Sequence, residues 1–185
     1  MNMAPFIFWN LAFYTIIRTQ LKLLMGITFL LLFISTSFLT FSILDILSDE
    51  TLSIEKQIAT FVLIFFLAIP LYLILNFLST VLTSIFMYFF DRHFVFRKMY
   101  FVILTYNAFI LLVNSIVLFC IMKLSLGHYL IIIQLLSFSV STYFLRLLYH
   151  GIVHYTEGSE KGALAVSLLY FVVTGIFTIG GILNG

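Results

Sequence analysis

Ile58-Ala-Thr-Phe-Val-Leu-Ile-Phe-Phe-Leu-Ala-Ile-Pro70-Leu-Tyr-Leu-Ile-Leu-Asn76-Phe-Leu-Ser-Thr-Val-Leu-Thr-Ser-Ile-Phe-Met-Tyr-Phe-Phe90 runs from residue 58 to residue 90 without one charged side chain. As a helix rising ~1.5 Å per residue it is roughly 50 Å long, more than the ~30 Å of a bilayer's hydrocarbon but too little for two spans and a turn. The stretch therefore predicts one tilted or kinked transmembrane helix. Pro70 supplies a cause for a kink, because it removes a backbone donor and crowds the preceding turn.

Four further apolar runs flank it: Leu21 to Leu47, Met99 to Met122, His128 to Tyr149 and Gly162 to Leu183. Each reaches the ~20 residues a spanning helix needs. The predicted fold is thus all-α, a polytopic bundle of five spans. Residues 1–20 form a cytoplasmic or interfacial segment and residues 21–185 a single membrane domain. The basic residues orient it: Arg18, Lys22, Arg92, Arg97, Lys98, Arg146 and Lys161 fall on one side, against Lys56 and Lys123 on the other. By the positive-inside rule the N-terminus is cytoplasmic and the C-terminus outside. Asp45, Asp49, Glu50 and Glu55 make the first outer loop acidic.

Composition places the chain in the same class. Apolar residues are 63% of it, charged residues 9%, and mean hydropathy is +1.22, whereas a soluble domain carries about 25% charge. A net charge of +2 without a continuous basic stripe argues against nucleic acid as a partner. The lone Cys120 allows no internal disulfide and no thiolate metal cluster, and reads as a small packing residue. Although Arg18 precedes the first run and Lys22 stands at its start, the run outlasts the about 7 to 15 residues of a signal-peptide core and lacks an Ala-x-Ala end, so it is read as an uncleaved span.

Ahead of that span, Pro5 can open a short helix with Phe6, Trp9 and Phe13 on one side and Trp9 and Tyr14 as headgroup-level anchors. A plain extension of the first span fits those residues equally well. Tyr88, Phe89 and Phe90 before Asp91, Arg92 and His93 read as an aromatic belt meeting a basic loop.

The polar residues inside the spans are uncharged and recur at helical spacing: Asn76, Thr80, Thr83 and Ser84; Asn107 and Asn114; Gln134, Ser137 and Ser141. Residues three, four or seven apart share a helix face, and such groups face lipid only at a cost, so the stripes are expected to meet inside the bundle. They serve either as glue between helices or as a polar pathway or small-molecule cleft between spans two, three and four. No ionisable residue sits near the middle of a span, which argues against an ion-coupled pump or proton relay. Gly175, Gly180 and Gly181, with Ala163 and Ser167, give the last span small faces suited to close packing or self-association.

Chemistry offers one weak candidate. His150 and His154 are four apart with Glu157 three further on, a spacing that can hold a metal on a continuous helix. Interfacial histidines explain the same residues, and Gly158 is placed to end the helix before Glu157 is fixed on it. Ser159 is the expected cap of the last helix. No nucleophile elbow, paired intramembrane carboxylates or zinc-protease motif is present, so neither catalysis nor a cofactor is expected.

The stretch Tyr143-Phe-Leu-Arg-Leu-Leu-Tyr-His-Gly-Ile-Val-His-Tyr-Thr-Glu-Gly-Ser-Glu-Lys-Gly-Ala-Leu-Ala-Val166 resembles the final hairpin of the Yip family, five-span membrane proteins named for interaction with Ypt/Rab GTPases. The shared elements are Gly151-Ile152, the Gly-Ser-x-Lys segment Gly158 to Lys161 and the Ala-rich start of span five. The resemblance covers roughly Ile58 to Leu183. It implies five spans with a cytoplasmic N-terminus and no enzymatic activity. Eukaryotic members carry a long hydrophilic N-terminal region, and the resemblance leads one to expect a proline in or near the third span. Here Met1 to Gln20 precede the first span and Asn107 follows Tyr106, so the likeness is to small prokaryotic members of a plasma membrane, and GTPase binding does not transfer. The expected function is that of an organiser, adaptor or accessory subunit working in the lipid bilayer through helix packing, with another membrane protein or itself as partner. The alternative is a small permease-like component conducting a substrate past Asn76, Asn107, Asn114 and Gln134.

Overall fold

A computed structural model describes residues 21–47, 53–91, 94–124 and 130–184, without the side chains of 21–24, 45–47 and 182–184. The expected interfacial helix and Arg18, Asp49, Glu50, Arg92 and His93 lie outside these residues, as do the side chains of Lys22 and Asp45. Five helices make up the bundle, with no strand among the described residues: α1 Leu21–Leu47, α2 Ile54–Tyr88, α3 Phe96–Lys123, α4 Leu130–His150 and α5 Glu160–Asn184. One π-helical turn, Gly151–Tyr155, prolongs α4. All five are long and apolar enough to cross a membrane. In lipid a helix is the simplest way for every backbone group to find a partner within its own segment.

The second helix is continuous through Pro70. It begins at Ile54, earlier than the apolar run that announces it. Its first turn contains Glu55, whose charge suits the positive end of the helix dipole. It ends at Tyr88, where Phe89 and Phe90 close a turn onto Phe86 and Met87 carbonyls.

Neighbouring spans alternate in direction. Contacts between Lys98 and Glu157 and between Asp91 and Ser159 gather the end of α2, the start of α3 and the α4–α5 hairpin at one end of the bundle. Arg97, Lys98, Arg146 and Lys161 all belong to this basic end. The opposite end brings Gln134 of α4 against Gly181 of α5. α1 runs parallel to α3, its closest neighbour, with Thr28 bonded to Thr105 near one end and Phe38 against Phe119 near the other.

Two cores hold the helices together. The larger, at the basic end, joins Met87, Met99, Ile103, Tyr106, Leu148, Ile152, Ala163 and Val166. The smaller packs Leu31 and Leu32 of α1 against Ala108 of α3. α1 also buries a column of hydroxyls, each donating to a carbonyl one turn earlier: Ser35 to Leu31, Thr36 to Leu32, Thr40 to Thr36 and Ser42 to Phe38. Their polarity is thereby satisfied inside the helix, and small side chains let α3 approach. α2 is the peripheral helix. Its most apolar window, of mean hydropathy 2.8, contains no buried residue.

Candidate functional site

The polar residues of the spans separate into two groups. In the first, the Asn107 amide donates to Asn76 Oδ1 at 2.6 Å, and Asn76 Nδ2 donates to the Tyr72 carbonyl at 2.8 Å. Tyr72 Oη in turn donates to the Leu104 carbonyl at 2.8 Å. This closed circuit ties α2 to α3 and leaves Asn76 only 4% exposed. Higher on α2, Thr80 donates to the Asn76 carbonyl, while Ser79 shares a 2.8 Å bond with Tyr170 of α5. Tyr170 also stands edge-on to Tyr106 of α3, so one side chain fastens three helices. Ser84 keeps a buried hydroxyl without a partner among the described residues.

The second group lies toward the other end, between α3, α4 and α5. Asn114, Gln134, Ser137 and Ser141 line a half-open cleft of about 240 Å³. Ser137 Oγ donates to Asn114 Oδ1 at 2.9 Å, which turns the Asn114 amide nitrogen away from that bond. Gln134 Oε1 is shielded from solvent and has no partner among the described residues. The third wall is α5, where Thr174, Thr178 and Gly181 face the cleft. The expected passage along Asn76, Asn107, Asn114 and Gln134 is therefore two places: Asn76 and Asn107 do not line this cleft.

Thr174 and Thr178 were not legible as site residues from the spans read one at a time. A signal existed all the same: Tyr170, Thr174, Thr178 and Gly181 are spaced four, four and three apart, which is one helix face. The α5 glycines divide. A side-chain carbon built on Gly181 comes to 3.4 Å from the Gln134 amide and one on Gly175 to 3.8 Å from Phe138, whereas one on Gly180 meets nothing within 4 Å. The tightest glycines are elsewhere, in the hairpin. Such a carbon on Gly162 lies 2.5 Å from the Met87 thioether, and one on Gly158 lies 2.8 Å from the same methyl. Met87 itself is fully buried.

His150 and His154 stack face to face with ring centroids 5.7 Å apart, but Glu157 is directed elsewhere. It takes a left-handed backbone, with φ of 63°, and binds Lys98 Nζ at 2.6 Å. The Gly158 amide returns to the Ile152 carbonyl six positions back, one residue wider than the 6→1 bond of a Schellman motif, with Glu157 in the left-handed conformation usually given to glycine. The helix thus ends at Tyr155 with Thr156 as its C-cap, and Glu157 makes the left-handed turn just ahead of Gly158. No group of three or more His, Cys, Asp or Glu residues placed to hold a metal occurs among the described residues. Ser159 caps α5, its Oγ accepting from the Gly162 amide at 3.1 Å.

Fold and site together define a multi-pass membrane helix bundle with neutral intramembrane polar contacts. No protein-family model, curated protein or solved structure matches the chain.

Proposed function

We propose that the chain is a non-catalytic membrane protein, an organiser, adaptor or accessory subunit that engages another membrane protein or a second copy of itself through its spans. The use made of the polar groups carries this reading. Asn76 with Asn107, Thr28 with Thr105, and Tyr170 with Ser79 are joined to one another across helix boundaries, as bundle glue requires. The peripheral α2, apolar along its exposed side, leaves a surface on which lipid or a partner span can lie. The reading also takes in a prokaryotic plasma membrane, a cytoplasmic basic end and kinship with the Yip family, supported by the charge distribution and by Tyr143 to Val166.

Mild-detergent capture of the tagged protein from its own membrane, with mass spectrometry and size analysis, tests it. A stoichiometric membrane partner or a discrete homo-oligomer is expected; a monomer without companions would overturn it. Conduction is the second reading, favoured by the half-open cleft at Asn114 and Gln134. It expects solute flux in proteoliposomes to fall on Asn114→Leu but not on Asn107→Leu, because only Asn114 lines that cleft.

A further inference from the structure

Gln134 Oε1 is an acceptor without a partner among the described residues, held against a cavity inside a membrane protein. A buried amide left unbonded in an apolar medium is costly. Rotating the amide by half a turn would present a donor to the same space and leave the same deficit. On the facing helix, the Asn114 side chain is exposed and its carbonyl is already engaged by Ser137. Its amide hydrogens are therefore what it offers outward. Thr174 and Thr178 spend their own hydrogens on Tyr170 and Thr174 carbonyls, so they face the cleft as acceptors. The cleft wants a neutral group that both donates and accepts, which describes a hydroxyl. No charged side chain lines it.

The remaining wall is carbon. Ile110, Phe138 and Phe177 complete the lining, and this combination of apolar wall and few polar groups is typical of a small-molecule site. At about 240 Å³ the cleft is smaller than the ~300–1,000 Å³ of sites for drug-sized ligands. It therefore takes a small molecule, or the head and first carbons of a longer one. Depth agrees. Gln134 lies one turn inside α4 from Leu130, about 6 Å along the axis, and Asn114 lies about 13 Å in from Lys123 at the same end of the bundle. Ser141 of α4 and Thr174 of α5 carry the polar lining on to about 15 Å from that end, with Phe138 and Phe177 at intermediate levels, so polar and apolar wall run side by side and match a hydroxyl-bearing amphiphile whose tail leaves through the open side.

We propose that the cleft between α3, α4 and α5 is a binding site for a neutral, hydroxyl-bearing amphiphile, with Gln134 Oε1 as acceptor for its hydroxyl. The site stands apart from the adaptor reading, since occupancy of the cleft and capture of a partner are measured separately.

The test uses the full chain in phosphatidylcholine nanodiscs with a diazirine-bearing long-chain alcohol as the probe. Photolabel is expected on peptides carrying Asn114, Gln134 and Thr178, displaced by excess decanol and not by decane. Displacement by glycerol as well would assign the hydroxyl ligand to the aqueous phase; displacement by decanol alone assigns it to the bilayer. Gln134→Met, close in volume and without the acceptor, is expected to lower labelling about tenfold, the effect of losing one hydrogen bond. Label spread along the lipid-facing side of α2, or equal displacement by decane and decanol, would overturn the proposal. Mapping on the unsubstituted chain decides the matter even if the variant does not fold.

Discussion

Asp91, just past the end of α2, accepts a 2.6 Å hydrogen bond on Oδ2 from the backbone N–H of Ser159, at the start of α5. Residues far apart in the chain thus share one helix terminus. The carboxylate lies where the unsatisfied amides and the dipole of α5 favour negative charge. Asp91→Ala is expected to cost about 1–2 kcal/mol in unfolding free energy, the range for a charge-assisted bond at a helix start. Asp91→Asn should recover part of that. Denaturant titration in mixed micelles reads both; an unchanged midpoint for Asp91→Ala would show that the contact contributes nothing.

Met87 and Gly162 fit as knob and hole. Placing a methyl at residue 162 drives it into a thioether that has nowhere to go, since Met87 is fully buried. Ala's better helix propensity returns about 1 kcal/mol, against an overpacking cost of ~1–3 kcal/mol. Gly162→Ala is therefore expected to be neutral to destabilising. Its cost should shrink when Met87→Ala is already present, and a double-mutant cycle measures that coupling. Strict additivity would rule out the steric account.

Glu157 holds a backbone conformation that costs an ordinary residue about 1–2 kcal/mol. Its ion pair with Lys98 is between partly exposed partners, at 35% and 65%, and such pairs are worth about 0–1 kcal/mol. Glu157→Gly should consequently be neutral or slightly stabilising despite losing the pair. Glu157→Val, with the same loss and a β-branched side chain at positive φ, should destabilise by more than about 1 kcal/mol. Thermal unfolding of the two variants side by side distinguishes them, and equal midpoints would show that backbone conformation is not the controlling factor.

The Asn76–Asn107 bond is predicted to couple the two residues energetically. Replacing Asn107 by Leu leaves Asn76 Oδ1 without its donor and replacing Asn76 by Leu leaves the Asn107 amide without its acceptor, whereas replacing both removes the polar pair. The two single variants should each lose stability, and the double variant should lose less than their sum, with a coupling of ~0.5–2 kcal/mol. Asn114→Leu, in the other polar group, should show no coupling with Asn76→Leu.

Much of this architecture can be read in the chain because lipid punishes ambiguity. The run Leu21 to Leu47 coincides with α1, and the other runs differ from their helices only at the ends, where polar residues such as Glu55 and Glu160 still extend a helix. Helix order in space was not legible. α1 meets α3 through Leu31 and Leu32 against Ala108 and a Thr28–Thr105 bond, while its buried Ser35, Thr36 and Thr40 donate to their own backbone, and a self-satisfied hydroxyl gives no sign of which neighbour it will face. The separation of Asn107 from Asn114 was hidden for a similar reason. Seven residues on a helix share a face, but α3 has α2 beside it at one level and α4 at another. Gly158 and Gly162 could be read as punctuation; only packing shows that they house Met87.

The π turn at Gly151–Tyr155 carries a last consequence. A ring closed over five residues instead of four is an α-helix that has absorbed one extra residue, so everything beyond it is advanced by about 100° around the axis. That phase shift lets Ile152 and Tyr155 belong to the core of the basic end while Glu157 comes out beside Lys98. Removing a single residue within this turn would leave the span long enough to cross the membrane, yet turn the hairpin's inner and outer faces out of phase. At this point the chain counts residues for angle, not for length.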